Sequence, residues 1–150
     1  MKTVFDEATR DELLERIVLI TERSKPLWGK MNVYQMTKHN TIWNEWVLGN
    51  ENMVYRQEWL GKIFGKMALK SNTKDDKPIG KNMPAGKAFV VTELAGDLEA
   101  EKVIWMAQIK AFEHFSNDDF IHDFFGKMST EQIGVFAYKH NDHHLRQFNA

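Results

Sequence analysis

Apolar positions recur at helical spacing along this chain, and residues that start or stop helices bound each run. Leu13, Leu14, Ile17, Val18 and Thr21 form one face, while Glu7, Arg10, Asp11, Glu12, Glu15 and Arg16 lie mostly outside it. That spacing predicts a first helix over residues 6–22. Acidic residues crowd its first turns, where the helix N-terminus favours them, and Pro26 follows its end. Asn32 with Gln35 three residues on is a capping signal for a second helix over 33–48, and Gly49 is its C-terminal cap. The inward face of that helix runs through Met36, His39, Trp43 and Trp46.

Residues 50–95 are less regular. A helix weakened by Gly61 and Gly65 is predicted over 54–70. A turn-rich linker with Pro78, Gly80, Asn82, Pro84 and Gly86 follows. Asp97 caps a helix over 98–115 whose core candidates are Leu98, Trp105, Ile109 and Phe112. Residues 116–128 read as an aromatic-rich connection, with His122 expected at the surface. Ser129 and Gln132 then form the Ser-x-x-Gln pattern of a capping box. The apolar stripe of the last helix, Ile133, Phe136 and Ala137, continues at the same spacing into His140, His144, Gln147 and Phe148. With no convincing alternating strands, the expectation is an all-α bundle. The 50–95 stretch would be a long crossover carrying an extra helix between the second and third bundle helices.

Composition narrows the function. The 150 residues suit one domain with a real core. Net charge is −1, so there is no global bias toward nucleic acid. Lys62, Lys66, Lys70, Lys74, Lys77, Lys81 and Lys87 make the crossover locally basic, but no stacking aromatics or arginines interleave them, and a solvated face is expected. No cysteine is present, which removes disulfides, thiolate ligands and a cysteine nucleophile. The N-terminal residues lack an apolar signal core, and no apolar run reaches membrane-span length. A cytoplasmic protein without membrane contact is expected.

The candidate chemistry lies in the histidines. Side chains at i and i+4 on a helix stand roughly 5–6 Å apart at Cβ, so neutral imidazoles at His140 and His144 can reach one ion. A buried histidine is often only a satisfied packing residue, and His39 alone reads that way. Two rings in one apolar stripe need partners for their nitrogens, however, and a metal supplies a shared one. On facing helices, His39, His140 and His144 would give three nitrogens. His143 falls about 60° to one side of His140 and His144 about 40° to the other, at 100° per residue, which puts His143 at the edge of the stripe. It is expected beside the ligands or at a dimer contact, and His114 and His122 have no support as ligands.

The segments LWGKMNVYQMTKHN around His39 and YKHNDHHLRQF at the end resemble the DinB-like superfamily of four-helix bundles. FGKMALK, KNMP and FFGKMSTEQ resemble its branch called domain of unknown function 1569, so the likeness spans about residues 12–149. The resemblance implies a divalent-metal site of His39, His140 and His144. The tail pattern H-x-x-H-H-x-x-Q matches His140, His143, His144 and Gln147. Many relatives read His-His-Arg-Gly-Gln where this chain has His-His-Leu-Arg-Gln, which keeps the ligands and changes the end of the helix. Met36, Trp43, His143 and Gln147 are the expected pocket or supporting residues. Relatives include metal-dependent hydrolases and transferases of low-molecular-weight thiols, and are often homodimers.

Three neutral imidazoles leave a coordination position open. All-nitrogen ligation suits Zn²⁺, Ni²⁺, Cu²⁺, Fe²⁺ or Co²⁺, with Zn²⁺, Ni²⁺ and Fe²⁺ the leading expectations. The expected function is a metal-dependent enzyme of thiol-transferase or hydrolase type acting on a small molecule. A thiol would have to come from a low-molecular-weight cofactor. Glu45 and Asp142 face away from the ligand stripes, so no catalytic carboxylate is identified, which favours thiol transfer. The alternative is a non-catalytic metal or small-ligand binding module with a Trp- and Met-lined pocket.

Overall fold

The computed structural model describes residues 1–49, 54–83 and 86–150. Among these it is mostly helical: α1 (Glu7–Val18), α2 (Val33–Leu48), α3 (Trp59–Thr73), α4 (Leu98–Ala111) and α5 (Thr130–Gln147). A small antiparallel hairpin, β1 (Ile121–His122) and β2 (Gly126–Lys127), precedes α5, with Ile121 opposite Lys127 and His122 opposite Gly126. Short 3₁₀ turns lie at Lys87–Phe89 and Phe112–His114. No helix among the described residues is long and apolar enough to cross a membrane.

The helices that carry the histidines begin where their caps place them. The Asn32 side chain accepts from the Gln35 amide at 2.9 Å while Gln35 Oε1 accepts from the Asn32 amide at 3.1 Å. Ser129 and Gln132 make the same reciprocal pair at 3.2 and 3.0 Å. Each pair satisfies two amides that the helix itself leaves without partners. Gly49 ends α2 at φ +83°, a backbone state that glycine adopts without steric penalty.

Packing contacts run from α1 to α4, α4 to α2, α2 to α5 and α5 back to α1, with α3 set against α5 and β2. One cluster of buried apolar side chains runs from Val4 to Phe148, with Trp105 and Phe112 its largest fully buried members. Buried amides cross it. Asn44 and Asn141 bond each other reciprocally at 3.2 and 3.1 Å, and Trp105 Nε1 donates to Asn141 Oδ1 at 2.6 Å. These bonds fix the register of α2, α4 and α5 against one another, because slipping any of them would strand a polar group in the core.

Several boundaries differ from expectation. The first helix stops at Val18 rather than residue 22, leaving Val18 and Thr21 exposed. The amides of Leu19 and Ile20 turn back to Arg16 and Ile17, Ile20 drops into the core, and its carbonyl takes the buried Lys102 ammonium at 2.7 Å. The crossover helix starts at Trp59, not at 54, because the chain before it is tied to the hairpin. The Glu58 amide donates to the Asp123 carbonyl at 2.7 Å, and Gln57 Nε2 to the Phe124 carbonyl at 3.0 Å. Gly61 and Gly65 are the contact face of α3 rather than weak points. A Cβ on Gly61 would stand 2.2 Å from the Phe124 oxygen, and one on Gly65 2.1 Å from it. The predicted fourth helix gives way to a 3₁₀ turn after Ala111, and the hairpin lies where a plain connection was expected. Pro84, part of the expected linker, lies outside the described residues.

Candidate metal centre

His39 projects from α2, and His140 and His144 from α5. All three are buried, and one ring nitrogen from each lies within 4.8 Å of the others. The closest approach is His39 Nε2 to His140 Nε2 at 3.2 Å. The three rings are mutually tilted or edge-on, with centroids 4.8–5.2 Å apart, so their nitrogens converge rather than their faces.

Two of the rings have their tautomer fixed from behind. The Phe89 carbonyl can only accept, so His39 Nδ1–H donates to it at 2.8 Å and His39 Nε2 keeps its lone pair. Gln147 donates through Nε2 to the Trp28 carbonyl at 2.8 Å. Its Oε1 is therefore the atom facing His144, and His144 Nδ1–H donates to it at 2.9 Å. His144 Nε2 likewise keeps its lone pair. The Gln147 amide fits there because Gly29, at φ +84°, has no Cβ; one built there would stand 2.6 Å from Gln147 Nε2. His140 is held by its face. Trp43 stacks on it at 4.0 Å and 18°, and His140 Nδ1 is buried without a partner among the described residues.

The electrostatics keep all three rings neutral. Burial pushes His140 and His144 well below the ordinary histidine value, and the neighbouring imidazoles add to it. At His144 the Gln147 hydrogen bond opposes the shift in part. Burial also lowers His39, against the opposing Phe89 carbonyl. Neutral imidazole is the ligating form.

These residues fit a divalent cation. Nitrogens bound to one tetrahedral ion at about 2.0–2.1 Å stand roughly 3.3 Å apart, and the His39–His140 pair is separated by 3.2 Å. Ring N–H groups held by a carbonyl and an amide oxygen are the usual support behind histidine ligands. Without an ion, His140 Nε2–H can donate to His39 Nε2, but this leaves the His144 Nε2 lone pair unused by either ring.

The other expected residues separate into those at the cluster and those away from it. Gln147 supports His144, and Trp43 stacks on His140. Met36 is buried, and its sulfur takes the Asn40 amide at 3.2 Å. His143 is half-buried, edge-on to Trp28 and His144 at 5.5 and 5.0 Å. Burial lowers its pKa, against a hydrogen bond to the Ile79 backbone. Asp142 is buried and held by Arg16 and Arg146, each at 2.8 Å. His114 is exposed.

His122 is a correction: it is buried, not on the surface. Its ring stacks on Phe125 at 4.3 Å and stands edge-on to Trp46 and Phe136. Its Nδ1 sits among the Phe124 and Phe125 amides and 2.9 Å from Asp123 Oδ1, so the hairpin fixes its orientation. Sequence reading also missed Phe89, Trp28 and Gly29. Their parts in the site depend on backbone atoms, or on the absence of a side chain, which no residue pattern marks.

No family model, curated protein or solved structure matches the chain.

Proposed function

We propose that the chain is a divalent-metal-binding protein of the DinB-like four-helix-bundle type, in the branch called domain of unknown function 1569. In this reading it is one domain with α3 carried on the crossover, and the metal site serves a thiol-transfer or hydrolytic reaction on a small molecule. The closed order of contacts among α1, α2, α4 and α5 supports the bundle. The observation that carries the metal reading is the tautomer of His39 and His144: each donates its Nδ1–H to an oxygen behind it, leaving its Nε2 lone pair available beside His140.

A divalent ion held there would act as a Lewis acid, lowering the pKa of a water or thiol bound to it. The chain's own contribution is orientation and exclusion of water. Phe89 and Gln147 hold the rings, Trp43 covers the face of His140, and the burial of all three keeps protons off them. No carboxylate joins the three histidines among the described residues. With Asp142 bound to two arginines, no general base stands at the site among the described residues. This favours transfer of a low-molecular-weight thiol, which can ionise at the ion itself, over hydrolysis. A cytoplasmic homodimer belongs to the same reading, and nucleic acid does not.

The test is turnover of a small thiol with an electrophile by Zn²⁺-, Ni²⁺- or Fe²⁺-loaded protein, beside ester and amide hydrolysis. Thiol conjugation lost in His144→Ala supports the reading. Metal binding without turnover across both panels would leave a binding module instead.

A further inference from the structure

An open cleft of about 810 Å³ lies between α3, the Lys87–Phe89 turn and the hairpin. Its volume is in the range of small-molecule sites. Its aromatic lining comes from Trp46, Trp59 and Phe89. Its cations are Arg56, Lys62 and Lys87, and among the described residues none of them forms an ion pair. Of its two carboxylates, Asp123 is already engaged by His122 and by the Phe124 amide, while Glu58 remains.

Two cleft residues also reach toward the three histidines. Phe89 gives its carbonyl to His39 Nδ1 at 2.8 Å. Trp46 stands edge-on to Trp43 at 6.4 Å, and Trp43 stacks on His140 at 4.0 Å. The wall of the cleft thus touches His39 through the Phe89 carbonyl and is one tryptophan, Trp43, away from His140. Aromatic walls with uncommitted cations at an open mouth select a ligand that has an apolar body and a negative group.

We infer that this cleft binds an aromatic or similarly apolar organic anion as the substrate class of the three-histidine centre. The inference rests on the metal reading above for its link to chemistry, but the cleft's binding can be measured apart from it. Lys62 and Lys87 pair with the anionic group, and the ring packs on Trp46 and Phe89.

The experiment uses fluorine NMR line widths of 4-(trifluoromethyl)benzoate and its uncharged amide with the full chain, loaded with Zn²⁺ or Co²⁺. The benzoate is expected to bind about tenfold tighter than the amide, and Lys62→Gln with Lys87→Gln to remove that advantage. Ala88→Trp, at an exposed position lining the cleft, should abolish binding of both probes. Ile63→Ser with Met67→Ser, on the outward face of α3, should leave binding unchanged. Co²⁺ should broaden the bound benzoate beyond the Zn²⁺ sample.

Equal binding of the two probes, or benzoate binding unchanged by both cleft variants, overturns the inference. Loss of binding in the Ile63/Met67 variant alone also overturns it, because the probe then sits on α3. With Co²⁺ bound, the absence of extra broadening overturns the link to the centre. Metal content measured on the same samples separates the two readings. Cleft-dependent benzoate binding by a chain that takes up no metal supports the cleft and contradicts the metal reading. Metal uptake with no benzoate binding does the reverse.

Discussion

Gln147 Oε1 accepts the Nδ1 proton of His144 at 2.9 Å, three residues back on the same helix, while its Nε2 is held by the Trp28 carbonyl. The glutamine can present only its oxygen, so the histidine can present only an unprotonated Nε2. Gln147→Leu removes the acceptor and frees the tautomer. Loss of a supporting partner behind a metal-bound histidine typically costs about 10–100-fold in affinity. Competition against a coloured zinc chelator should show a drop of that size, and an unchanged affinity would mean that the pair does not set the ring.

Burial holds His39, His140 and His144 below their ordinary value of 6.5, His140 and His144 by the larger margins. Their unfolded forms therefore bind protons at a higher pH than the folded ones. This contribution to stability is fully present above pH 6.5 and is lost as pH falls below it. Each ring that stays neutral in the fold costs about 1.4 kcal/mol per pH unit in that window. Urea unfolding of the metal-free chain at pH 7.5 and 5.5 should show this fall, and His140→Phe should make it shallower. Equal slopes in parent and variant would contradict the buried neutral state.

Asn141 accepts from Trp105 Nε1 and exchanges bonds with Asn44, all within the core. Asn141→Leu leaves the indole N–H and the Asn44 amide without partners, at a cost of about 1–3 kcal/mol for each stranded group. The midpoint of thermal unfolding should drop accordingly. Asn141→Leu with Trp105→Phe should recover part of the loss, because the indole donor is then gone.

Gly65 lies so close to the hairpin that an added Cβ would meet the Phe124 oxygen at 2.1 Å. Alanine would ordinarily strengthen a helix by about 1 kcal/mol over glycine. Here Gly65→Ala should destabilise instead, by pushing α3 off the hairpin. Hydrogen exchange should quicken at the Glu58 amide, which bonds the Asp123 carbonyl. A more stable variant would show that α3 does not pack this closely.

The histidine helices were legible because their signals are local. Asn32–Gln35 and Ser129–Gln132 are reciprocal caps within four residues, and the stripe from Ile133 to Phe148 repeats over about four turns. The set of His39, His140 and His144 followed from that periodicity and from the DinB-like resemblance. What escaped depends on distant parts of the chain. Asp142 is expected to face away from the ligand stripe, yet it is buried, as is Lys139 beside it on α5. Lys139 ends on the carbonyls of Asn72, Asp75 and Lys77, and Asp142 on Arg16 and Arg146. Periodicity assumes that a polar side chain faces water and cannot anticipate such partners. The end of α1 escaped for the same reason, since Lys102 on another helix claims the Ile20 carbonyl. His122 was misplaced because a two-residue strand leaves too short a pattern to recognise.

In the proposed site His39, His140 and His144 share one divalent ion. The direct measurement is metal content by mass spectrometry on tag-free chain, purified without chelator and again after reloading with Zn²⁺ or Ni²⁺, beside His39→Ala and His140→Ala. About one equivalent is expected in the parent, as for an open three-nitrogen site, and none in either variant, with both variants still helical by circular dichroism. A parent that takes up no metal after reloading, or variants that keep their full equivalent, would contradict it and leave the three rings as core packing.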